Sequence, residues 1–229
     1  MRVVSVNVGE PRKVVWRGKM VRTGIFKAPA AGPVALRRLN LDSDRQADLS
    51  VHGGAAKAIY AYPVEHYAFW EAALGRRLEW GSFGENLTVE GLPLDGELFL
   101  GDRIRVGSAE LAVTQPRLPC FKLGIRFDDP LMVRRFLEAG RTGYYLRVRR
   151  EGTVEAGDDA VLVERDPAAV PVSEITRVYA RERDDAVGLR RVLAAAALPD
   201  DWRPYFSELL ARAETEGTRS RRARAAPRS

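Results

Sequence analysis

The sequence predicts a mostly β-stranded domain, a barrel or a sandwich, followed by a small helical segment. Short apolar runs separated by glycine and proline turns recur through residues 1–165 of the 229-residue chain. In Arg103–Val106 an isoleucine and a valine alternate with two arginines, the pattern of a strand with one buried face. From residue 173 the apolar spacing becomes helical, so a helical segment is expected over 173–214.

The β domain contains several predicted strands and few helices. The strands are predicted over 3–6, 34–39, 57–62, 97–100, 103–106, 111–113 and 146–148. Gly101-Asp102 predicts a hairpin or a tight corner. One helix is predicted to begin near Pro63 and to bury a stripe of Tyr67, Trp70 and Leu74, and a second is predicted over 131–138.

Three helices are predicted in the C-terminal segment, the second of them capped by Asp184 or Asp185. Their apolar stripes comprise Ile175, Val178 and Tyr179, then Leu189, Val192, Leu193 and Ala196, then Trp202, Tyr205, Phe206, Leu209 and Leu210. We expect these side chains to lie in the core. Because about 40 residues form too small a core to be stable alone, the segment should dock on the β domain or on a second subunit of a homodimer.

The net charge of +6 is unevenly distributed along the chain. Residues 217–229 contain five arginines and no acidic residue, and the rest of the chain has a net charge of +1. The composition predicts a basic, disordered tail over 215–229. Nucleic acid is therefore not an expected partner.

Two further features indicate the compartment. No apolar run is long enough to cross a membrane, and the N-terminus predicts a strand rather than a signal peptide. The single cysteine excludes an intrachain disulfide, a four-cysteine zinc site and an iron–sulfur cluster held by this chain alone. We therefore expect a reducing, cytoplasmic location without membrane contact.

The single cysteine, Cys120, lies in a strongly basic segment. Residues 115–150 include nine basic and three acidic residues, and Arg117 and Lys122 lie close to Cys120 on either side. Two prolines before the cysteine restrict the backbone. Nearby cations favour the thiolate, which is both a nucleophile and a metal ligand, and they attract anionic ligands. The pattern favours a functional thiol.

A Gly-Gly pair provides a second candidate site. Gly53 and Gly54 follow His52, and Lys57 comes three residues later. Consecutive backbone N–H groups can bind an anion, and Lys57 adds a positive charge. Taken alone, the pattern also fits a hairpin turn, and His52 also fits a hydrogen-bonded structural residue.

Two other glycine-bracketed loops carry polar residues. Glu85 and Asn86 follow a tight loop at 81–84, which could direct them at a polar ligand. Arg141 lies between Gly140 and Gly143, at the entry to a strand. Each of these loops also fits an ordinary turn.

Together, these segments resemble a known family. The motifs are Val51-His52-Gly53-Gly54-x-x-Lys57-Ala58-Ile59-Tyr60-x-Tyr62-Pro63-x-Glu65-His66-Tyr67, Phe83-Gly84-Glu85-Asn86-Leu87 and Gln115-Pro116-Arg117-x-Pro119-Cys120-x-Lys122-Leu123. In order and spacing they resemble the MOSC domain, in particular its YiiM-like branch. That branch joins a β-barrel to a C-terminal three-helix segment. Ser43 departs from the family, in which a glycine is common at this position.

The resemblance implies a bound molybdenum cofactor (molybdopterin), with Cys120 as the catalytic thiol and metal ligand. The candidate cofactor-binding residues are Gly53, Gly54, Lys57, Asn86, Arg117, Lys122 and Arg141. His52 and Glu85 are the candidate catalytic proton donors.

The same resemblance implies a function. The expected reaction is reduction of N-hydroxylated compounds, such as 6-hydroxylaminopurine or amidoximes, to amines. Because the chain has neither iron–sulfur cysteines nor a dinucleotide-binding fingerprint, a separate reductase would supply the electrons. Two alternatives remain open: a carrier of the cofactor or of persulfide sulfur without turnover of its own, and a non-catalytic interaction module.

Overall fold

A computed structural model describes residues 1–91, 98–165 and 170–225, without the side chains of 51–52 and 217–225. The strands are β1 (Arg2–Val8), β2 (Arg12–Trp16), β3 (Lys19–Thr23), β4 (Ala28–Pro29), β5 (Val34–Leu36), β6 (Ile59–Pro63), β7 (Leu87–Glu90), β8 (Arg103–Val106), β9 (Ala109–Pro116), β10 (Tyr144–Arg150), β11 (Gly152–Val154) and β12 (Ala160–Glu164). The helices are α1 (Leu49–His52), α2 (Val64–Leu74), α3 (Phe121–Phe127), α4 (Met132–Ala139), α5 (Val172–Ala180), α6 (Ala186–Ala194) and α7 (Arg203–Ala225). Short 3₁₀ turns cover Ala55–Lys57 and Asp200–Trp202.

Eight strands form the main sheet, in the order β12-β8-β9-β10-β6-β7-β1-β4. Strand β6 pairs with β7 in parallel, and α2 makes the crossover that a parallel pair requires. The other neighbouring pairs of this sheet are antiparallel. The predicted mostly β fold with a C-terminal helical segment is confirmed.

The main sheet is open, so the prediction of a closed barrel is wrong. Its edge strands are β12 and β4. Arg2, at the start of β1, forms a single bridge with Asp159, and Val3 N donates to Asp158 O at 2.8 Å. In the described ranges no strand ladder joins β1 to β12. The sheet therefore curls until its ends touch without closing, a property that the alternation of side chains cannot predict.

The predicted alternation of buried and exposed residues is confirmed in the central strands. Ile104 and Val106 of β8 are buried. In β10, buried Leu146 and Val148 alternate with exposed Arg147 and Arg149. The helix that was expected to begin near Pro63 is α2, which begins at Val64. Pro63 is the last residue of β6.

The segment predicted as a strand over 97–100 differs in the structure. Residue 97 lies outside the described residues, and Phe99 makes only an isolated bridge with Pro171. Asp102 turns the chain by accepting a hydrogen bond from Phe99 N at 3.1 Å. Of the two structures predicted for Gly101-Asp102, a hairpin or a tight corner, the chain forms the tight corner.

The C-terminal helices share one hydrophobic core with the sheet. This core contains Ile104 and Leu146 from the sheet, and Ile175, Leu189 and Phe206 from α5, α6 and α7. A second, aromatic cluster lies between the sheet and α2, α3 and α4. The helical segment therefore packs on the β domain of its own chain.

Helix α7 continues to Ala225, so the backbone is helical within the segment 215–229 that was predicted to be disordered. The segment contains alanines and arginines, which have high helix propensity, and this explains the difference. None of the helices in the described ranges combines the length and apolar character that a membrane crossing needs.

Candidate functional site

A cavity of about 90 Å³ lies where β6 and β10 meet the start of α3. Five of its lining residues are cationic, namely Lys27, Arg45, Lys57, Arg117 and Lys122, and no described lining residue is acidic. We call it the cation cavity. Because positive side chains surround a confined volume, the cavity attracts an anionic ligand.

Arg117 is the most deeply buried of these cations, with 5% of its surface exposed. Its backbone N–H donates to Gly143 O at 3.1 Å, which fixes the residue at the end of β9. Its guanidinium lies 5.4 Å from the ring centroid of Tyr60 and 5.3 Å from that of Phe136. Burial opposes the charged form, but the neighbouring groups, Tyr60 first among them, outweigh burial and raise the pKa of Arg117.

One nitrogen of this guanidinium is unpaired among the described residues. Nη1 of Arg117 is buried and makes no hydrogen bond to any of them. A buried, unpaired N–H group of a cation is costly and rare in folded proteins. The free donor indicates a position for an acceptor atom of a ligand.

Cys120 lies on the wall of the same cavity as Arg117 and Lys122. It is half-buried and holds extended backbone angles as the residue that precedes α3. Its carbonyl accepts from Leu123 N at 2.9 Å, which begins the helix. The structure therefore places the predicted thiol among the predicted cations.

Lys57 reaches the cavity from the 3₁₀ turn. Thr114 Oγ1 lies 2.6 Å from Ala56 O and 3.0 Å from Tyr145 O, and so attaches the turn to β9 and β10. The ammonium of Lys57 also lies 3.9 Å from the carboxylate of Asp201, in the C-terminal segment.

The Gly-Gly pair has local structural roles and does not line the cavity. Gly53 N donates to Leu49 O at 3.2 Å, so this N–H group closes α1. Gly54 has a φ of 96° and a ψ of 160°, a conformation that is essentially restricted to glycine. The side chain of His52 lies outside the described residues, and its proposed role stays a prediction.

Sequence reasoning missed Lys27 and Asp44. Lys27 lines the cavity and forms a buried ion pair with Asp44, while Asn86 Nδ2 donates to Asp44 Oδ2 at 2.9 Å. Burial lowers the pKa of Lys27, and the charge of Asp44 opposes this shift. No spacing pattern links these two residues, which lie 17 positions apart.

Asn86 itself lines the cavity, but its amide is used by the protein. In addition to its bond to Asp44, Nδ2 donates to Asn7 O at 3.3 Å, and Oδ1 accepts from Tyr60 N at 3.1 Å. Asn86 therefore positions Asp44 and β6 rather than presenting a free amide to a ligand.

Ser43 keeps the backbone conformation that a glycine would adopt easily. Its φ is 64°, in the left-handed region. The adjacent Asp44 accepts hydrogen bonds from Gly9 N at 3.0 Å and from Asn86. The departure from the family at Ser43 thus preserves the turn that holds Asp44.

Glu85, the other candidate proton donor, does not line the cavity. It is fully buried and accepts hydrogen bonds from Gly81 N at 2.8 Å, Phe83 N at 3.0 Å and Thr88 Oγ1 at 2.9 Å, and from the Tyr67 hydroxyl. Burial raises the pKa of both Glu85 and Tyr67. Glu85 folds the loop at 81–85 and is bonded on every side by protein.

Arg141, a candidate cofactor-binding residue, does not line the cavity either. Its guanidinium lies 4.6 Å from the ring centroid of Phe69, and Nη1 lies 3.3 Å from His66 Nδ1. Arg141 therefore packs on α2. The glycines on either side of it permit this turn.

Comparison with known proteins identifies the family of this chain. Residues 48–161 match the MOSC domain, and residues 170–213 match the YiiM-like three-helix domain. The protein YflK of Bacillus subtilis (strain 168) is 41% identical over 204 residues, which cover 89% of this chain and 92% of YflK. The chain belongs to the MOSC family.

The three-helix match places this MOSC protein in the YiiM-like branch. The crystal structure of YiiM from Geobacillus stearothermophilus has a TM-score of 0.77 and 37% identity, and the match covers 91% of this chain and 98% of that one. A protein of Gibberella moniliformis (strain M3125 / FGSC 7600) named Reductase is 32% identical over 191 residues. These cover 82% of this chain but 33% of the reductase.

Proposed function

We propose that this MOSC protein is a molybdenum cofactor-dependent reductase of N-hydroxylated compounds, such as 6-hydroxylaminopurine or amidoximes. One observation carries the proposal. The cation cavity brings five cationic side chains, an unpaired buried donor on Arg117 and the thiol of Cys120 into one small volume.

These residues fit the molybdenum cofactor that MOSC domains are associated with. Lys27, Lys57, Arg117 and Lys122 would hold its anionic groups. Cys120 offers a sulfur ligand, which suits molybdenum as a soft donor. In the described ranges no cluster of three or more His, Cys, Asp or Glu could hold a metal ion, so the remaining ligands would come with the cofactor.

The bound cofactor would supply two-electron redox chemistry. The overall reaction takes one N–OH compound, two electrons and two protons to one amine and one water. In this reaction the chain's residues would bind and orient the reactants: Lys57 and Arg117 would hold the anionic groups, and Cys120, which lines both cavities, would offer its sulfur to the metal. Because Glu85 does not line the cation cavity, we propose His52 as the proton donor.

We further propose that the electrons come from a separate reductase. The relative named Reductase is a longer protein, and two thirds of its length have no counterpart in this chain. A small chain of this kind would then depend on a partner for its electrons.

The test uses wild-type protein and Cys120→Ser, both purified from a host that makes the cofactor. We expect the wild type to contain molybdenum and to reduce 6-hydroxylaminopurine to adenine with an artificial electron donor. Cys120→Ser should lose the metal and the activity but keep its circular dichroism spectrum, because a serine hydroxyl is a much harder and less acidic ligand.

The outcome also separates the alternatives. Wild-type protein that holds stoichiometric molybdenum but reduces no N-hydroxylated compound would be a carrier, and the proposal would be wrong. In cells that lack redundant enzymes, loss of the protein should cause sensitivity to 6-hydroxylaminopurine. Wild type should restore resistance and Cys120→Ser should not, whereas a non-catalytic interaction module would function with either.

A further inference from the structure

A second cavity, of about 350 Å³, lies between the β domain and the C-terminal helices. It is lined by Lys57, Gln115, Leu118, Pro119, Cys120 and Tyr145 on one side, and by Tyr179, Asp201, Trp202 and Tyr205 on the other. We call it the interdomain cavity. It shares Lys57, Cys120 and Tyr145 with the cation cavity, so the two meet at the thiol. Its volume is in the range of small-molecule sites.

Aromatic rings form the helical wall of this cavity. The ring centroids of Tyr179 and Tyr205 are 5.3 Å apart, and those of Tyr179 and Trp202 are 6.0 Å apart. Trp202 and Tyr205 are only partly buried, whereas Phe206 on the same helical stripe is fully buried. Both rings pack against the core through Phe206, as expected for the stripe, and their remaining faces line the cavity. Exposed aromatic faces in a concave site suit a flat ligand.

Gln115 contributes an unsatisfied acceptor. Its side chain is 2% exposed, and its Oε1 has no hydrogen-bond partner among the described residues. The residue is fixed in β9, where it pairs with Tyr145 of β10. A buried amide oxygen without a donor is costly. A ligand with an N–H group in the interdomain cavity would satisfy it.

The charges of the two cavities differ. The cation cavity has an excess of positive side chains, but in the interdomain cavity Asp201 lies 3.9 Å from Lys57 and balances its charge. The interdomain cavity therefore favours a neutral ligand over a second anion. Its acceptors, the unpaired Gln115 Oε1 and the exposed Asp201 carboxylate, favour a ligand that donates hydrogen bonds.

We propose that the interdomain cavity is the substrate subsite, and that it binds a neutral, planar heteroaromatic base with exocyclic N–H groups. The base would stack on Trp202 and Tyr205, donate to Gln115 and Asp201, and direct its substituent at Cys120. This inference rests on the proposed function, because it assigns the aromatic part of that substrate to residues of the three-helix segment.

The test measures binding by the fluorescence of Trp202. The full-length, cofactor-loaded protein is titrated with adenine and with 6-hydroxylaminopurine, and equilibrium dialysis measures the same affinities independently. Both bases should quench the fluorescence saturably. Trp202→Phe should lose most of the quenching but retain binding in dialysis, because phenylalanine preserves a ring for stacking.

Three variants measure the individual contacts by dialysis. Trp202→Ala should weaken binding roughly 5- to 150-fold, which corresponds to about 1–3 kcal/mol for base stacking. Gln115→Met, which retains the side-chain length without the acceptor, should weaken it roughly 2- to 13-fold, as for one hydrogen bond. Asp201→Asn should also weaken it, whereas the matched control Asp200→Asn should not, since Asp200 is exposed and does not line the cavity.

A ligand series tests the predicted donors. 6-Dimethylaminopurine keeps the planar ring but lacks the exocyclic N–H groups, so it should bind more weakly than adenine. This difference should disappear in a protein that carries both Gln115→Met and Asp201→Asn. Equal affinity of the wild type for the two purines would contradict the hydrogen-bonding part of the proposal.

The experiment distinguishes failure of the subsite from failure of the function. If the bases bind as expected but the loaded protein reduces no N-hydroxylated compound, the subsite stands and the proposed function is wrong. If the protein reduces 6-hydroxylaminopurine with the same KM in wild type, Trp202→Ala and Gln115→Met, the function stands and the subsite is wrong. Absence of saturable binding in the wild type would also overturn the subsite.

Discussion

Replacing Arg117 with methionine should lower cofactor retention with little change in the stability of the cofactor-free protein. Methionine fills a similar volume and retains apolar contact with Tyr60 and Phe136, but it carries neither the charge nor the donors. Replacing a residue that is kept for the fold should lower the stability of the protein. Replacing a residue that is kept for a ligand should lower the affinity for that ligand and leave the ligand-free protein about as stable.

The magnitudes follow from the surroundings of the guanidinium. Leaving Nη1 buried and unpaired costs about 3 kcal/mol or slightly less. The contacts with the two rings are desolvated and return about 2 kcal/mol each. The two effects nearly cancel, so the Tm of the cofactor-free variant should differ from that of the wild type by no more than about 4 °C. Loss of one charge-assisted hydrogen bond should weaken cofactor binding roughly 10- to 150-fold.

The assay compares thermal unfolding of cofactor-free protein with the molybdenum and pterin content of protein from a cofactor-competent host. Arg126→Met is the matched control. Arg126 also has a buried unpaired nitrogen, Nε, and its guanidinium lies over the ring of Phe26, but it does not line the cation cavity. The control should keep its cofactor. If Arg117→Met lowers the Tm of the cofactor-free protein and keeps normal cofactor content, Arg117 is a structural residue and our interpretation of its free donor is wrong.

Three further outcomes are expected. Glu85→Gln should lower the free energy of unfolding, measured by urea titration, by about 1–3 kcal/mol. The amide NH₂ group of glutamine would face the backbone N–H groups of Gly81 and Phe83, which now donate to the carboxyl group of Glu85. The folded fraction of this variant should keep normal cofactor content. Gly54→Ala should lower the Tm by about 2–12 °C, since its backbone conformation costs a residue with a Cβ about 1–3 kcal/mol; an unchanged Tm would show that the turn relaxes. Deleting 217–229 should leave Tm and cofactor content unchanged because Ala213 is the last buried residue described in α7; a fall of several degrees would show that the tail packs on the protein.

Most of the site's chemistry could be predicted from local sequence. Cys120, Arg117 and Lys122 occupy one short segment, and Lys57 follows a glycine pair that marks a turn. Local spacing therefore identified the thiol and three of the five cations that line the cavity. It failed where a residue's role depends on distant partners. Glu85 and Arg141 looked available in sequence, but the structure bonds or packs both against α2 and its neighbours.

Long-range partners also decide the residues that sequence reasoning missed. Lys27 reaches the cavity because Asp44 holds it, and Asp44 in turn is held by Asn86 across the sheet. None of these separations repeats at a helical or strand period. An ion pair between two loops leaves no periodic signal, and only folding brings its members together.

The sequence by itself determined the two periodicities, their boundary near residue 170 and the cationic setting of the only cysteine. These are local properties, because strand alternation, helical stripes and charge density are set by neighbouring residues. The tertiary structure decided that the sheet stays open, that Trp202 and Tyr205 line a cavity in addition to packing on the core, and that this cavity meets the other at Cys120. Such outcomes depend on how separate elements pack, since an apolar stripe shows that a helix has a partner but not how much of the stripe the partner covers.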